Sequence, residues 1–148
     1  MSNGLLIIAH APLASALRQC VLHVFPETGP ELVALDVQPH VPADETRAMA
    51  LQALSLMPTE HTLLLTDLFG ATPCNVAQQL VDGLRSRLVA GVNLPMLLRA
   101  MTYRHETLDL MAMRALAGGT QGIMTVAVTA PQNQARKRND QNHHDHQQ

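Results

Sequence analysis

The sequence predicts an α/β fold with a doubly wound sheet, in which strands and helices alternate along the chain. The apolar run at residues 5–9 is continuous rather than alternating, which is typical of a strand buried on both faces of a parallel sheet. Four further short apolar runs follow it, and one or two segments of helical periodicity separate each run from the next. Strands that alternate with helices in this way form parallel sheets covered by helices on both faces.

The bounds of each element follow from the same pattern. We predict strands at residues 5–9, 32–35, 62–67, 88–92 and 123–128. Helices are predicted from residue 12 to before Pro26, from an N-cap at Asp44 to before Pro58, over residues 73–84, over 93–101, and from Thr107 to the glycines near residue 118. Thr72 is the predicted N-cap of the third helix, and Pro73 suits its first turn. The predicted inward faces are Ala48, Leu51 and Leu54 in the second helix and Val76, Ala77, Leu80, Val81 and Leu84 in the third.

Composition limits the class of protein. The chain has 148 residues, no Trp, one Tyr, two Phe and a formal net charge of −2, so neither base stacking nor a basic face for nucleic acid is expected. Cys20 and Cys74 lack the spacing of a metal or disulfide motif, which favours reduced thiols and a cytoplasmic location. No signal peptide or membrane insertion is predicted. We expect one domain at residues 1–130 and a disordered polar tail at 131–148, to whose histidines no role is assigned.

Two polar side chains follow predicted strands and are expected at the same edge of the sheet. His10 ends the first strand and Asp67 ends the third, and ligands of open α/β sheets bind outside these carboxyl ends. A carboxylate that accepts a hydrogen bond from one ring nitrogen leaves the other nitrogen free to attack an electrophile. The helix start after Gly70, Ala71 and Thr72 offers free amides for a phosphoryl group. The pattern predicts a histidine that is transiently phosphorylated.

The same residues also permit a structural interpretation. His10 could be a solvated residue at a strand end, Asp67 could cap a turn, and the sequence GATP could be only a helix start. Two other classes of site are disfavoured. Residues 5–12 contain no carboxylate to share a magnesium ion with Asp67, and a metal-dependent hydrolase needs more ligands than His10 and Asp67 supply. No cofactor or metal is therefore expected.

Three segments, LLIIAHAPLASAL, LLLTDLFGATPCN and VAGVNLPMLLRAM, follow one another in this order along the chain. They resemble the histidine segment, the D-x-x-G-[GA]-[ST]-P-x-N segment and the GVNLPML segment of a known family. This family is the mannose-type IIA components of the bacterial phosphoenolpyruvate-dependent sugar phosphotransferase system. The resemblance spans residues 4–128. Where the family commonly has Thr-His-Gly, this chain has Ala9-His10-Ala11, and Ala71 replaces the second glycine of the turn.

The resemblance implies a phosphotransferase that carries a phosphoryl group. By position His10 would accept phosphate from the carrier protein HPr and donate it to a IIB component, expected on a separate chain. Asp67 would be its paired carboxylate, and Gly70, Ala71 and Thr72 would bind the phosphoryl group. The resemblance also implies a homodimer with a central four-stranded parallel sheet, in which residues 123–128 form an exchanged antiparallel edge strand. A regulatory phosphoprotein that signals through His10 without sugar transport is the alternative, because its site would look the same.

Overall fold

The computed structural model describes residues 2–128 and contains one sheet of four strands, all parallel. The strands are β1 (Gly4–His10), β2 (Leu32–Val37), β3 (Thr62–Thr66) and β4 (Ser86–Ala90), in the spatial order β2-β1-β3-β4. Five helices accompany them: α1 (Leu13–Val24), α2 (Ala43–Ser55), α3 (Thr72–Leu80), α4 (Leu94–Thr102) and α5 (Leu108–Gln121). A 3-10 helix at Pro26–Glu31 leads into β2. The predicted α/β class and the four-stranded parallel sheet are confirmed.

The core lies on both faces of the sheet, so the molecule has three layers. Side chains that alternate along β1 divide between the two faces. Leu5 and Ile7 pack with α1, α4 and α5, whereas Leu6 and Ile8 pack with α2 and α3. All four side chains are fully buried. This double burial explains why the run at residues 5–9 is continuously apolar.

The common direction of the strands gives the sheet two rims. The carboxyl rim is the edge where the strands end, at residues 10–13, 37–43, 67–72 and 90–94. The amino rim is the opposite edge, where residues 2–3, 60–61 and 84–85 lead into strands beside the start of α5 at residues 105–109. The chain moves from β1 outward to β2 and then returns across β1 to β3, so the order reverses beside the end of β1. Ligand sites in open α/β sheets lie at such a reversal.

Two predicted helix faces are wrong in part. In α2 the buried residues are the small side chains Thr46 and Ala50, while Leu51 points outward and is 52% exposed. Small residues form the buried face because they let the helix approach the sheet, and a search for large apolar side chains misses them. Ala48 is exposed as well.

The end of α3 also differs from the prediction. The helix stops at Leu80, because the Asp82 carboxylate accepts hydrogen bonds from the amides of Leu84, Arg85 and Ser86 and forms a local turn instead. Leu84 therefore lies in that turn and is 80% exposed rather than buried. β4 correspondingly begins at Ser86, two residues earlier than predicted.

The C-terminal part of the prediction has a mixed outcome. Residues 123–128 are exposed and pair with no strand within the described part of this chain, so their pairing with a second copy stays a prediction. The predicted tail at residues 131–148 lies outside the described residues. Among residues 2–128, no helix combines the length and the apolar character needed to cross a lipid bilayer.

Candidate functional site at the carboxyl rim

His10 and Asp67 are brought together by the pairing of β1 with β3. The parallel register places Ile8 opposite Thr66, so the residues that follow these two strands leave the sheet side by side. Ala9 is fully buried, whereas the side chain of His10 is 48% exposed. The first strand therefore ends at the surface with an imidazole next to a carboxylate, as the sequence predicts.

Two hydrogen bonds join the pair through one carboxylate oxygen. The ring Nδ1 of His10 lies 2.7 Å from Asp67 Oδ2, and the backbone amide of His10 donates to the same oxygen at 3.1 Å. A carboxylate at neutral pH only accepts hydrogen bonds, so the proton of the neutral ring belongs on Nδ1. The lone pair of the neutral ring is then on Nε2, on a side chain that solvent reaches.

The environment keeps Asp67 ionised. Partial burial alone would raise the pKa of this carboxyl, which is only 14% exposed. The hydrogen bonds from the ring and the amide of His10, together with the charge of the ring when it is protonated, outweigh burial and hold the pKa below its ordinary value of 3.8. The pair therefore consists of an imidazole and a stable anion at neutral pH.

The second oxygen of Asp67 has no hydrogen-bond partner among the described residues. Asp67 Oδ1 is buried, and the neighbouring hydroxyl of Thr66 is likewise buried and unpaired within residues 2–128. A buried carboxylate oxygen without a donor keeps its negative charge uncompensated. This charge is available to stabilise a positive charge that develops on the adjacent ring.

The turn after Asp67 leads directly into α3. Gly70 adopts a positive φ of 87°, a conformation that favours glycine, and Asn75 Nδ2 donates to its carbonyl at 3.3 Å. Ala71 occupies the N-cap position in an extended conformation, so the prediction that Thr72 is the N-cap is wrong by one residue. Thr72 is the first residue of α3 and its hydroxyl caps nothing, because its own backbone is already helical. The amides of a first helical turn lack partners within the helix.

A second carboxylate at this rim was missed as a site residue. Asp36, near the end of β2, accepts hydrogen bonds from the amide of Ser15 at 3.0 Å and from its hydroxyl at 2.5 Å. The amide of Ala11 also donates to the carbonyl of Val37 at 3.0 Å. These bonds fix the start of α1, and hence the chain after His10, against β2. The sequence marks Asp36 as the end of a strand, but the contact with Ser15 depends on β2 lying beside β1, which a local pattern does not predict.

The predicted site residues therefore occupy one rim. His10 and Asp67 are in direct contact, and Gly70, Ala71 and Thr72 form the turn that begins three residues after Asp67. Within the described range 2–128, no three His, Cys, Asp or Glu side chains come together in an arrangement that could hold a metal ion. The chemistry that this rim supports is nucleophilic attack by an oriented imidazole.

Comparison with known proteins identifies the family. The model of the PTS system fructose IIA component family matches residues 4–118. The sorbose-specific EIIA component of Lacticaseibacillus casei is 32% identical over 95 residues, which is 64% of this chain and 68% of that protein. The fructose-specific EIIA component of Bacillus subtilis is 44% identical over 57 residues, 37% of this chain and 39% of that protein.

A solved structure agrees with these sequence matches. The mannose/sorbose-specific IIA subunit of Enterococcus faecalis superposes with a TM-score of 0.79 at 25% identity, over 88% of this chain and 98% of that one. The matched range, residues 4–118, includes all four strands and both His10 and Asp67. The chain therefore belongs to the mannose-type IIA components of the phosphotransferase system, a family of phosphotransferases.

Proposed function

We propose that this protein is a phosphoryl carrier that accepts a phosphoryl group from the phosphohistidine of HPr on His10 and donates it to a IIB component. The observation that supports this most directly is the 2.7 Å contact between His10 Nδ1 and Asp67 Oδ2 at the carboxyl rim. It orients a half-exposed imidazole so that Nδ1 is hydrogen-bonded and the lone pair of the neutral ring is on Nε2. Membership of the IIA family gives the general donor and acceptor, HPr and IIB. Because those exchanges occur in the cytoplasm, we place the protein there.

The transfer step uses the free nitrogen of the ring. The lone pair of His10 Nε2 attacks the phosphorus of the donor, a new N–P bond forms, and the N–P bond of the donor histidine breaks. The donor ring, protonated while it carries phosphate, leaves as neutral imidazole with its electron pair. His10 retains the proton on Nδ1 and acquires the positive charge. No proton needs to pass between the two proteins.

Asp67 stabilises the phosphorylated state in this proposal. The ring of His10 is positively charged when Nδ1 bears a proton and Nε2 bears phosphate, and the adjacent ionised carboxylate offsets that charge. A phosphoryl group on Nε2 is held by the free amides of the first turn of α3 and by the hydroxyl of Thr72. Gly70 and Ala71 shape that turn without side chains that would obstruct the group.

The chemistry favours transfer over hydrolysis. An N–P bond is broken and an N–P bond is formed, so donor and product have similar energies and the step is reversible. Asp67 Oδ2 already accepts two hydrogen bonds from His10 and is not directed at an attacking water. The proposed product is therefore a phosphohistidine that persists until a protein acceptor docks.

The active form in this proposal is a homodimer that exchanges residues 123–128. Ile123, Val126 and Val128 are apolar and at least 75% exposed in the isolated chain, and β4 is an edge strand. Beside β4 lies an apolar groove that includes Val89, Ala112 and Leu116. Adding the segment of a second copy there would cover both surfaces. Sedimentation equilibrium tests this, and a chain that stays monomeric at micromolar concentration would contradict it.

A labelling experiment tests the carrier function. The protein is incubated with radiolabelled phosphoenolpyruvate, enzyme I and HPr, and acid-labile phosphate on the chain is measured. We expect stoichiometric label on the unaltered chain and none on His10→Ala. His61→Ala is the matched control, because His61 is similarly exposed, at 40%, and also lies beside an acidic residue, Glu60. Label that survives in His10→Ala would place the phosphoryl group on another residue.

Onward transfer separates transport from regulation. A IIB protein is added to the labelled chain, and we expect the label to move to it. Label that remains on His10 with every IIB protein of the host would contradict the donor role and favour the regulatory alternative.

A further inference from the structure

The start of α1 is capped by a side chain from a neighbouring strand. Its own N-cap residue, Pro12, makes no side-chain cap, whereas Asn93 and Thr107 each accept a bond from an amide of the helix that they begin. In α1 the equivalent amide, that of Ser15, donates to the Asp36 carboxylate at 3.0 Å. The Ser15 hydroxyl donates to the other oxygen of this carboxylate at 2.5 Å. Both oxygens of Asp36 therefore bind one residue of α1.

This cap lies close to His10 both along the chain and across the sheet. In the register of β1 with β2, Asp36 is the partner of Ala9, the residue that precedes His10. Two residues separate His10 from α1, and the amide of the first, Ala11, donates to the Val37 carbonyl at 3.0 Å. The backbone that carries the ring is thus anchored to β2 immediately after the reactive residue.

The contact between His10 and Asp67 depends on an accurate backbone position. One oxygen, Asp67 Oδ2, accepts hydrogen bonds from both the amide and the ring Nδ1 of His10. Both bonds form only while the backbone of His10 keeps its place beside β3. A displacement of a reacting group by about 1 Å can slow a reaction by about 10²-fold. A residue that fixes this segment therefore contributes to the rate without touching the phosphoryl group.

We infer that Asp36 is a positioning residue for His10. Its bonds to Ser15 fix the start of α1, and the short connection to β1 then holds the ring on Asp67 with the lone pair on Nε2. This inference rests on the proposed carrier function. Asp36 needs no contact with the phosphoryl group in this role, because it acts on the geometry of the attacking nitrogen.

The same helix offers a matched control at the other end of β2. Arg18 Nε donates to the Leu32 carbonyl at 2.6 Å, and Arg18 Nη2 donates to the Gly29 carbonyl at 3.0 Å. These bonds also tie α1 to β2, but at the first residue of the strand and away from His10. Arg18→Met keeps an apolar stem and removes both donors. If Asp36 acted only through the stability of the fold, Arg18→Met would slow transfer as well.

Transfer kinetics and the tautomer of the ring are measured on Asp36→Ala, Ser15→Ala and Arg18→Met. With phosphorylated HPr as donor, we expect kcat to fall about tenfold in Asp36→Ala and about threefold in Ser15→Ala, which keeps its amide bond, while KM stays within about twofold. In Arg18→Met both constants stay within about twofold, although its Tm falls by about 4 °C, as it does in Asp36→Ala. Nitrogen NMR of the neutral His10 ring gives the fraction with its proton on Nδ1. We expect this fraction to fall in Asp36→Ala and to stay unchanged in Arg18→Met.

Several outcomes would overturn the inference. Unchanged kcat and an unchanged tautomer in Asp36→Ala would show that Asp36 does not position the ring, and the same result in Ser15→Ala decides the question if Asp36→Ala fails to fold. An equal loss of kcat in Arg18→Met would assign the effect to stability. A higher KM with unchanged kcat in Asp36→Ala would assign Asp36 to docking of the donor. The NMR measurement needs no phosphoryl donor, so it still tests the position of the ring if HPr does not label the unaltered chain and the proposed function fails.

Discussion

Each rim of the sheet places a histidine beside a carboxylate, but the pair at the carboxyl rim is in hydrogen-bond contact at 2.7 Å, whereas His61 and Glu60 at the amino rim are 3.8 Å apart. The amino rim includes Glu60, His61, His105 and Asp109 around a cavity of about 450 Å³. At the carboxyl rim Asp67 contacts His10, while Asp36 bonds to Ser15 and the first turn of α2 carries Asp44 and Glu45. The comparison indicates that the geometry of one pair, rather than cavity size or the number of titratable groups, distinguishes the proposed site. For the proposed function a single oriented pair at an open surface suffices, because the proposed substrate is another protein.

The physical origin of this difference is the direction of the strands. In a parallel sheet each strand ends at the carboxyl rim, and the following helix begins there with its free amides. An anion is therefore stabilised at this rim without any cationic side chain. At the amino rim, α5 also begins, but the Thr107 hydroxyl already accepts a hydrogen bond from the amide of Leu110 at 3.2 Å.

The largest difference in transfer rate is expected when one carboxylate of each rim is replaced by an amide. Asp67→Asn keeps the shape of the side chain but removes the charge that orients and stabilises the phosphorylated ring. We expect transfer from HPr to fall on the order of 10²-fold. Asp82→Asn, at the turn before β4, leaves transfer unchanged. Rapid-quench measurement of label against time gives both rates, and equal rates for the unaltered chain and Asp67→Asn would remove Asp67 from the mechanism.

A smaller effect is expected from the two threonines that begin helices. Thr72→Val removes a hydroxyl that caps nothing in the structure, so transfer slows about tenfold while the free energy of unfolding hardly changes. Thr107→Val removes an N-cap and lowers the free energy of unfolding by about 1 kcal/mol, while transfer is unchanged. Urea unfolding and the transfer assay, applied to both variants, measure the two effects. Slower transfer to Thr107→Val would show that transfer also depends on the amino rim, contrary to the comparison.

The sequence predicted the parts of the fold that depend on local pattern. The continuous run at residues 5–9 and the turn after Asp67 indicated buried parallel strands and a helix start, and both are present. The sequence predicted that His10 lies close to Asp67 only on the condition that β1 and β3 are neighbours in the sheet. Strand order is set by packing between segments that are distant in the chain, so local patterns in a single sequence do not predict it. The bond between Asp36 and Ser15 was missed for the same reason.

The wrong predictions also have local physical causes. Thr46 and Ala50 form the buried face of α2 although their side chains are small, since the helix packs closely against its neighbours. At the end of α3, the Asp82 carboxylate competes for the amides of Leu84 and Arg85 and ends the helix before the apolar pattern does. The strand predicted at residues 123–128 is a different case: it pairs with no strand of the described chain, and its pairing with a second copy stays a prediction because that is a property of an assembly.

The smallest expected effect is a pH dependence of stability that both rims share. The backbone amides of Leu84 and Arg85 donate to Asp82 and hold its pKa below 3.8, and the pKa of Asp67 is lowered as well. A carboxyl group whose pKa is lower in the folded than in the unfolded state stabilises the fold above its unfolded pKa. That contribution is lost as the pH falls through the folded pKa. Both carboxylates therefore contribute to stability at neutral pH and lose that contribution below about pH 4.

An amide resembles the protonated form of each carboxyl, which makes the asparagine variants direct probes of this effect. We expect Asp82→Asn to have a lower Tm than the unaltered chain at about pH 7, and the difference to shrink as the pH falls below about 4 and the carboxyl of the unaltered chain, first in the unfolded and then in the folded state, becomes protonated. Asp67→Asn should follow the same course, although only this variant loses transfer. Thermal unfolding followed by circular dichroism across this range gives the Tm values. A Tm difference that stays constant down to pH 3 would mean that the ionised carboxylate contributes nothing, and the turn at Asp82 would then depend on the shape of the side chain alone.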